Sequence, residues 1–552
     1  MKQSTGRLLG ARLLSRPAAL GIGMAAAVVA GISACGGGDN NNCHNIPQAT
    51  GLIGQPNYNQ GTPNNPNISG LSLGGVQGSV AVWPNPAAPT DTTTATVYVA
   101  DTTNNRVLGF KGIPSGINTA AATFVIGQSS MTDQSSGIGP DGSVPIKFAN
   151  PSKVWIATTP TNTYLAVADA GNNRVLIWNA PPTDNATAPN VVLGQPDFLH
   201  AAANQPNATP SATGLDHPTA VIISSKGQLV VVDKSNNRVL IWNTVPTVSN
   251  TPADFELGQL ATDTTGATTC TANTGTAGYC FTTNVPNIDQ FNGITNILAM
   301  RQPSDAWTDG SNLLVSDTGN NRVLYWAGVP NNMNKLPDNL LGATQFGSYN
   351  PAGGAGTQAF NAPWGVASDG TSVFVGDSGN NRVLEFQSYI TTPKNGTAAT
   401  VVFGQQDFVH ITQNDPDQNG SVADQRNDPA TSGVNAGTMF SPQGLYVNAS
   451  FNVLLVSDSA NSRVMRFPII GNSSAGPNTT TVSTARIPTT ATSASDLLRR
   501  VQGRSGRKPG AVFFIGAAPR WWQNFKVGRR RSSRRHREAR ISRLEPGGPS
   551  PH

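Results

Sequence analysis

Apolar residues along this chain fall in short runs broken by Gly, Pro, Asn, Asp, Ser and Thr, a rhythm that predicts short strands joined by turns. One such break recurs six times. It reads VYVADTTNNRVLGF from Val97, LAVADAGNNRVLIW from Leu165, LVVVDKSNNRVLIW from Leu229, LLVSDTGNNRVLYW from Leu313, VFVGDSGNNRVLEF from Val373 and LLVSDSANSRVMRF from Leu454. Its acid lies at Asp101, Asp169, Asp233, Asp317, Asp377 and Asp458, and a base follows five residues on, at Arg106, Arg174, Arg238, Arg322, Arg382 and Arg463. Successive acids are 68, 64, 84, 60 and 81 residues apart. That exceeds one hairpin, so each unit holds more strands than the signature itself shows.

Two further patterns supply them. The first is LIGQPNY from Leu52, VIGQSSM from Val125, VLGQPDF from Val192, ELGQL from Glu256, LLGATQF from Leu340 and VFGQQDF from Val402. The second is FANPSKVWI from Phe148, LDHPTAVII from Leu215, FNGITNILA from Phe291, FNAPWGVAS from Phe360 and FSPQGLYVN from Phe440, with a degenerate copy, GGVQGSVAVW, ending at Trp83. Four short strands per unit describe one blade of a propeller. In the turn, Asn suits a position of positive φ, the Asp accepts backbone N–H groups, and the Arg is placed to return to that Asp. The aromatic closing each third strand, at Phe110, Trp178, Trp242, Trp326, Phe386 and Phe467, is expected to fill the core between blades.

These repeats resemble bacterial NHL-repeat β-propellers, with Val-x-Asp-x-x-Asn-Asn-Arg-Val in five units and Asn461-Ser462-Arg463 in the sixth. The resemblance spans residues 49–468 and implies an all-β, six-bladed propeller of four-stranded antiparallel blades. It does not imply one activity, since functions within the family are diverse. Six Gly-Gln-type runs match six signatures, yet the first, Leu52 to Tyr58, precedes the first blade and none follows Phe467. The N-terminal strand near Ile53 is therefore expected to complete the last blade and pair two open edges. By the same count residues 490–552 are dispensable for folding.

Composition agrees with a β-rich chain. The 552 residues include 58 Gly and 40 Pro, only 12% are charged, and Glu occurs only as Glu256, Glu385, Glu538 and Glu545. The formal charge of +6 is unevenly spread. Residues 499–552 carry 15 Lys and Arg against two Glu, and the first 16 residues add Lys2, Arg7, Arg12 and Arg16. What lies between is acidic, near −11, which disfavours a nucleic-acid partner.

Both ends differ from the repeats. Residues 1–34 join a basic start to the apolar run Ala18 to Ala30, ahead of Ile32-Ser33-Ala34-Cys35, and read as an export signal too short for a membrane span. Ile-Ser-Ala-Cys resembles the lipobox of bacterial lipoproteins. That resemblance makes Cys35 the lipidated residue, residues 35–48 a flexible tether, and Gly36 a pointer to the outer membrane or cell surface, with a periplasmic orientation left open. Ordinary secretion is the alternative. Residues 469–552 form a basic, low-complexity tail, with a polybasic stretch at Arg529 to Arg540, read either as disordered or as an out-of-frame translation of a GC-rich gene, and no function is assigned to it.

Long insertions fall at about 129–147, 199–214, 261–290 and 409–438, all between a Gly-Gln run and the next blade, so they share one rim with the Asp-Asn-Asn-Arg turns. Cys270 and Cys280 lie in one insertion, and in an exported chain they are expected to form a disulfide contributing about 3 kcal/mol. Cys43 is left over. No CxxC or HxxxH spacing supports a metal site. His200 and His410 follow Gly-Gln-x-Asp-Phe at one phase and read as repeat-specified loop positions. Lys153, His217, Asn296 and Trp364 are read as neighbours at the channel mouth, where a cation, an imidazole, an amide and a stacking face could hold a small ligand.

Two functions follow. The first is a monomeric, lipid-anchored scaffold without a cofactor, binding a protein or glycan at the cell envelope. The second is a propeller enzyme resembling the lactone hydrolases or streptogramin-type lyases, with Ca or Zn at the channel mouth. No catalytic residue is assigned, because only His217 is suitably placed and no Glu is.

Overall fold

The computed structural model describes residues 46–117, 121–140, 142, 144–259, 299–331, 335–346, 353–415 and 433–469. These belong to one unit of the chain, Met1–Ser474; the other, Ala475–His552, lies outside the described residues. The described strands form six small sheets of antiparallel blades, five of them with an inner strand, two middle strands and an outer strand in chain order. Blade one is Val80–Trp83, Thr96–Asp101, Arg106–Lys111 and Phe124–Ile126; blade two is Pro151–Thr158, Thr163–Asp169, Arg174–Trp178 and Val191–Leu193. Blade three is Pro218–Ile223, Leu229–Asp233, Arg238–Trp242 and Phe255–Leu257, and blade four is Asp305–Thr308, Leu313–Asp317, Arg322–Trp326 and Asn339–Leu341. Blade five is Pro363–Ser368, Val373–Asp377, Arg382–Phe386 and Val401–Phe403. Blade six has Pro442–Asn448, Val453–Asp458 and Arg463–Phe467 from its own segment, and takes its outer strand, Gly51–Ile53, from the start of the ring.

That borrowed strand closes the circle. Gly51, Leu52 and Ile53 pair antiparallel with Arg466, Met465 and Val464, giving the last blade the backbone partner its own sequence lacks. A short strand, Gly116–Ile117, adds in parallel to the outside of Gly51–Leu52.

The repeated turn explains why the signature is so constant. Each acid is followed by a single 3-10 turn ending in a residue of positive φ: Asn105, Asn173, Asn237, Asn321, Asn381 and Ser462, all between 51° and 54°. One acid oxygen accepts from the Arg Nε five residues on, at 2.7–2.8 Å in every blade, and also from the first Asn amide. The other oxygen accepts the backbone N–H of Gly74, Ala149, Asp216, Arg301, Asn361 or Phe440, just ahead of the inner strand. The second Asn reaches onward, its side-chain oxygen accepting from the next blade's N–H at Asn150, His217, Gln302, Ala362 or Ser441. Blade six has Ser462 there, too short for this reach, and the corresponding N–H of Gly75 is taken instead by the Thr103 hydroxyl.

The arginines then spend remaining N–H groups on carbonyls of the connecting loops, and Arg238 also pairs with the buried Glu256 carboxylate at 2.9 Å. Arg174, for example, donates to Phe198, Ile138 and Lys147, and Arg463 to Tyr58, Asn435 and Thr438. Burial pushes the Asp101, Asp169 and Asp233 carboxyls up, against the pull of their arginines, and takes Asp377 up to about 6. Such a group is tolerable when buried because its lone pairs are satisfied by several donors at once.

Apolar packing lies between neighbouring sheets rather than in one central core. The six aromatics that end the third strands are at most 3% exposed, and each sits in a different hydrophobic cluster. The indoles of Trp178, Trp242 and Trp326 also donate to the carbonyls of Thr187, Thr251 and Lys335 at 3.0 Å, so the buried ring leaves no orphan N–H. Where adjacent inner strands approach each other, blades one, five and six carry Gly78, Gly365 and Gly444. A Cβ on any of the three would stand 1.9–2.1 Å from a neighbouring blade's carbonyl oxygen.

Candidate functional site at the channel mouth

Register along the inner strands fixes which residues share a level. Pairing of Pro151 with Asp169, Pro218 with Asp233, Pro363 with Asp377 and Pro442 with Asp458 puts the start of these four inner strands beside the repeated turn. The Gly-Gln runs end on the same rim, since Leu193 pairs with Val175 and Leu257 with Val239. Connections containing the insertions at 129–147 and 199–214 therefore start and finish on this face. Cys270, Cys280 and Asn296 lie outside the described residues, as do Cys35 and Cys43.

Two expectations about this rim need correction. The fourth inner strand is Asp305–Thr308, led by Met300-Arg301-Gln302-Pro303, and not the run from Phe291 that its letters suggested. Lys153 and His217 also stand at different levels. Counted from the shared N–H donors, His217 corresponds to Asn150, Gln302, Ala362 and Ser441, each with positive φ, whereas Lys153 corresponds to Gly78, Ala220, Asp305, Gly365 and Gly444 deeper in the channel.

Lys153 is engaged within the protein. Its ammonium forms an ion pair with Asp305, two blades away, and donates to the Ala306 carbonyl at 3.2 Å. The second Asp305 oxygen accepts the N–H of Val366 in blade five, and the first accepts from Ala306. Below this pair the Trp155 ring lies 5.3 Å from the Lys153 nitrogen, donates to the Ile223 carbonyl at 2.9 Å and packs against three of the hydrophobic clusters. Lys153 and Asp305 are 2% and 4% exposed. Both charges are spent on partners inside the ring, so ion pair and indole lie below the mouth as its floor and not as part of its lining.

Above that floor one register position forms a ring: Gln77, Ser152, Thr219, Ser304, Trp364 and Gln443. On blades two to four these residues are small and buried, and the Thr219 hydroxyl has no hydrogen-bond partner among the described residues. On blades five, six and one they are large. The residue after each turn acid adds a second ring: Thr102, Ala170, Lys234, Thr318, Ser378 and Ser459. Thr102, Thr318 and Ser378 donate to the carbonyls of Pro151, Pro363 and Pro442 in the next blade.

Lys234 departs from that pattern. Its ammonium crosses from blade three to blade five and sits 4.1 Å from the centre of the Trp364 ring. It makes no hydrogen bond or ion pair among the described residues, and desolvation lowers its affinity for a proton. His217 is held below its ordinary range by partial desolvation and then by Lys234, against Asp216. The mouth therefore keeps His217 and Trp364 from the sequence-based set, moves Lys153 into the floor, and gains Lys234. A readable signal for Lys234 existed: it replaces a Thr, Ser or Ala found at that turn position in the other five repeats.

His200 and His410 lie further out. Each ring nitrogen meets the carboxylate three residues back, Asp197 at 2.7 Å and Asp407 at 2.8 Å, within exposed loop tips that also display Leu199 and Val409. Among the described residues no three His, Cys, Asp or Glu side chains converge as a cation site would require.

No protein-family model and no curated protein matches this chain. Solved structures align with it at low similarity. An auxiliary nutrient binding protein from Bacteroides thetaiotaomicron aligns at 11% identity with a TM-score of 0.35, over 76% of this chain and 75% of that one. A protein of unknown function from the same organism aligns at 12% identity and 0.39, with the same coverage. Kuenenia stuttgartiensis hydrazine synthase aligns at 13% and 0.33, over 72% of this chain and 96% of that one. Likeness at this level carries nothing about ligand or activity.

Proposed function

We propose that this chain is an exported binding scaffold: an NHL-like propeller, lipidated at Cys35 and monomeric, whose loop-rich face engages a protein or glycan of the bacterial envelope. The observation that carries this reading is the contrast between a ring locked by six buried Arg–Asp pairs and one face bearing both the long connections and a cation, Lys234, that makes no hydrogen bond or ion pair among the described residues. Rigid support beneath variable loops is the arrangement that binding proteins use. Pairing of Gly51–Ile53 with the last blade leaves that blade no open third strand to recruit a second copy, which supports a monomer. The acidic repeats disfavour nucleic acid.

The enzyme reading needs a Ca or Zn ion at the mouth. His217 and Asp216 are neighbours there, but the described residues supply no third donor, so no reaction step is assigned. Lipidation is tested by labelling cells with a fatty-acid probe: the wild-type chain takes up label and fractionates with the outer membrane, and Cys35→Ala does neither. Equal labelling of both, or a cytoplasmic wild-type chain, would sink the location. Binding is tested by exposing the full exported chain to a glycan array and to purified envelope proteins. Failure to bind any of them overturns the scaffold.

A further inference from the structure

We infer that the channel mouth is a binding site for an acidic sugar, a pyranose ring bearing one carboxylate, with Lys234 receiving the carboxylate and Trp364 and the mouth amides receiving the ring. The inference rests on the binding-scaffold reading and names the chemistry of its ligand.

The first argument concerns cost. At the position of Lys234 the other turns use Thr102, Ala170, Thr318, Ser378 and Ser459, so the fold is built equally well with a small side chain. Lysine there loses hydration, as its lowered proton affinity records, and gains no hydrogen bond among the described residues. Its one partner is the Trp364 ring, itself a replacement of the Ser or Thr that blades two to four carry at that level. A pair of bulky exceptions that meet across an intervening blade is not needed by the turn of either one. The π-face holds the ammonium in place while its N–H groups stay unspent.

The second argument concerns chemistry. A single ammonium matches a monoanion, whereas a phosphate dianion is ordinarily held by several cations or backbone amides. His217 beside it is biased towards the neutral imidazole, which both donates and accepts. Around the same rim the side-chain nitrogens of Gln77, Gln302 and Gln443 make no hydrogen bond among the described residues. Neutral amides, an imidazole and an indole are the groups that satisfy sugar hydroxyls and cover an apolar ring face. Lys153, Asp305 and Trp155, deeper on the inner strands, are already engaged with one another and with backbone, which leaves Lys234 as the cation at this level.

The test is calorimetric titration of the full exported chain with D-galacturonate and D-glucuronate, against glucose and acetate. Expected is uronate binding at least tenfold tighter than either control, lost at least tenfold in Lys234→Thr and Trp364→Ser and largely kept in Lys234→Arg. Lys234→Thr restores the residue of blades one and four, so its melting temperature should match wild type, separating lost binding from lost folding. Uronate binding unchanged in Lys234→Thr overturns the inference, and so does acetate binding as tightly as uronate. The same chain on the glycan array separates the two readings. Capture of neutral glycans without uronates defeats the acidic-sugar site and leaves the scaffold standing, whereas capture of neither glycans nor envelope proteins defeats both.

Discussion

Lys153 of blade two and Asp305 of blade four meet at the centre of the ring, a buried ion pair that joins two sheets sharing no edge. The second oxygen of Asp305 takes the N–H of Val366, so three blades are tied at one carboxylate. Blades one, five and six carry glycine at the same level, where the inner strands come too close for a side chain. The two halves of the ring therefore solve the same axial packing problem in different ways: one by close backbone approach, the other by a charge pair.

Breaking that pair from one side should be costly. Lys153→Met leaves a carboxylate buried without its cation, and a loss of about 3–5 kcal/mol is expected in urea unfolding. Replacing both partners, Lys153→Met with Asp305→Leu, should recover most of it, because the desolvation of both charges disappears together. A single variant as stable as wild type would show that the pair does not hold the axis.

The glycine half gives an independent check. Gly444→Ala would put a methyl group 2.1 Å from the Gly78 carbonyl oxygen, and backbone cannot step aside as a flexible side chain would. Destabilisation of at least about 1–3 kcal/mol is expected from overpacking alone. Gly370→Ala, on a turn at the opposite end of the inner strand of blade five, meets nothing within 4 Å and tests positive φ by itself. It should cost about 1 kcal/mol. Thermal melts of the two variants should therefore separate, with Gly444→Ala the lower.

Much of this architecture was legible in the letters because one side chain does several jobs at a repeated place. The turn acid must accept from an Arg, an Asn and a backbone N–H at once, so little else fits and the motif stands out at Asp101 as it does at Asp458. Closure by Gly51–Ile53 was legible for a related reason, as a surplus run at one end answered a missing one at the other. The mouth was harder. Inner strands carry a weak pattern, and the letters of FNGITNILA imitate it closely enough to hide Met300-Arg301-Gln302-Pro303, and with it Asp305. Without Asp305 there was no reason to expect Lys153 to be buried, and no spacing rule brings a turn residue of blade three to an indole of blade five.

Glu385 should make stability depend on pH. It lies buried on the third strand of blade five with one carboxyl oxygen unpartnered among the described residues, and burial pushes it up to about 8 from 4.5, with Gln387 and Ser372 pulling the other way and Asp369 adding to the rise. Below pH 4.5 the carboxyl is protonated folded or unfolded, and its contribution is fully present. Between 4.5 and about 8 only the unfolded chain releases the proton, so stability falls by about 1.4 kcal/mol per pH unit. Glu385→Gln keeps the shape and removes the titration. Urea unfolding at pH 5 and pH 8 should show a large drop for wild type and a much smaller one for the variant; equal drops would place the pH dependence elsewhere.

His217 reports on Lys234 without any ligand. Its imidazole is depressed by desolvation first and by the neighbouring ammonium second, with Asp216 opposing both. Lys234→Met deletes the cation while keeping an unbranched apolar stem over Trp364, so the His217 pKa should rise in the variant yet stay below the ordinary imidazole value, because desolvation persists. A depressed imidazole binds fewer protons folded than unfolded, so wild-type stability from this site is present above the ordinary histidine pKa and is lost as pH falls through it. That acid-side loss should shrink in Lys234→Met. Histidine proton resonances followed by NMR across pH 4 to 8 read the first effect directly, and an unmoved His217 would mean that the two groups do not share the mouth.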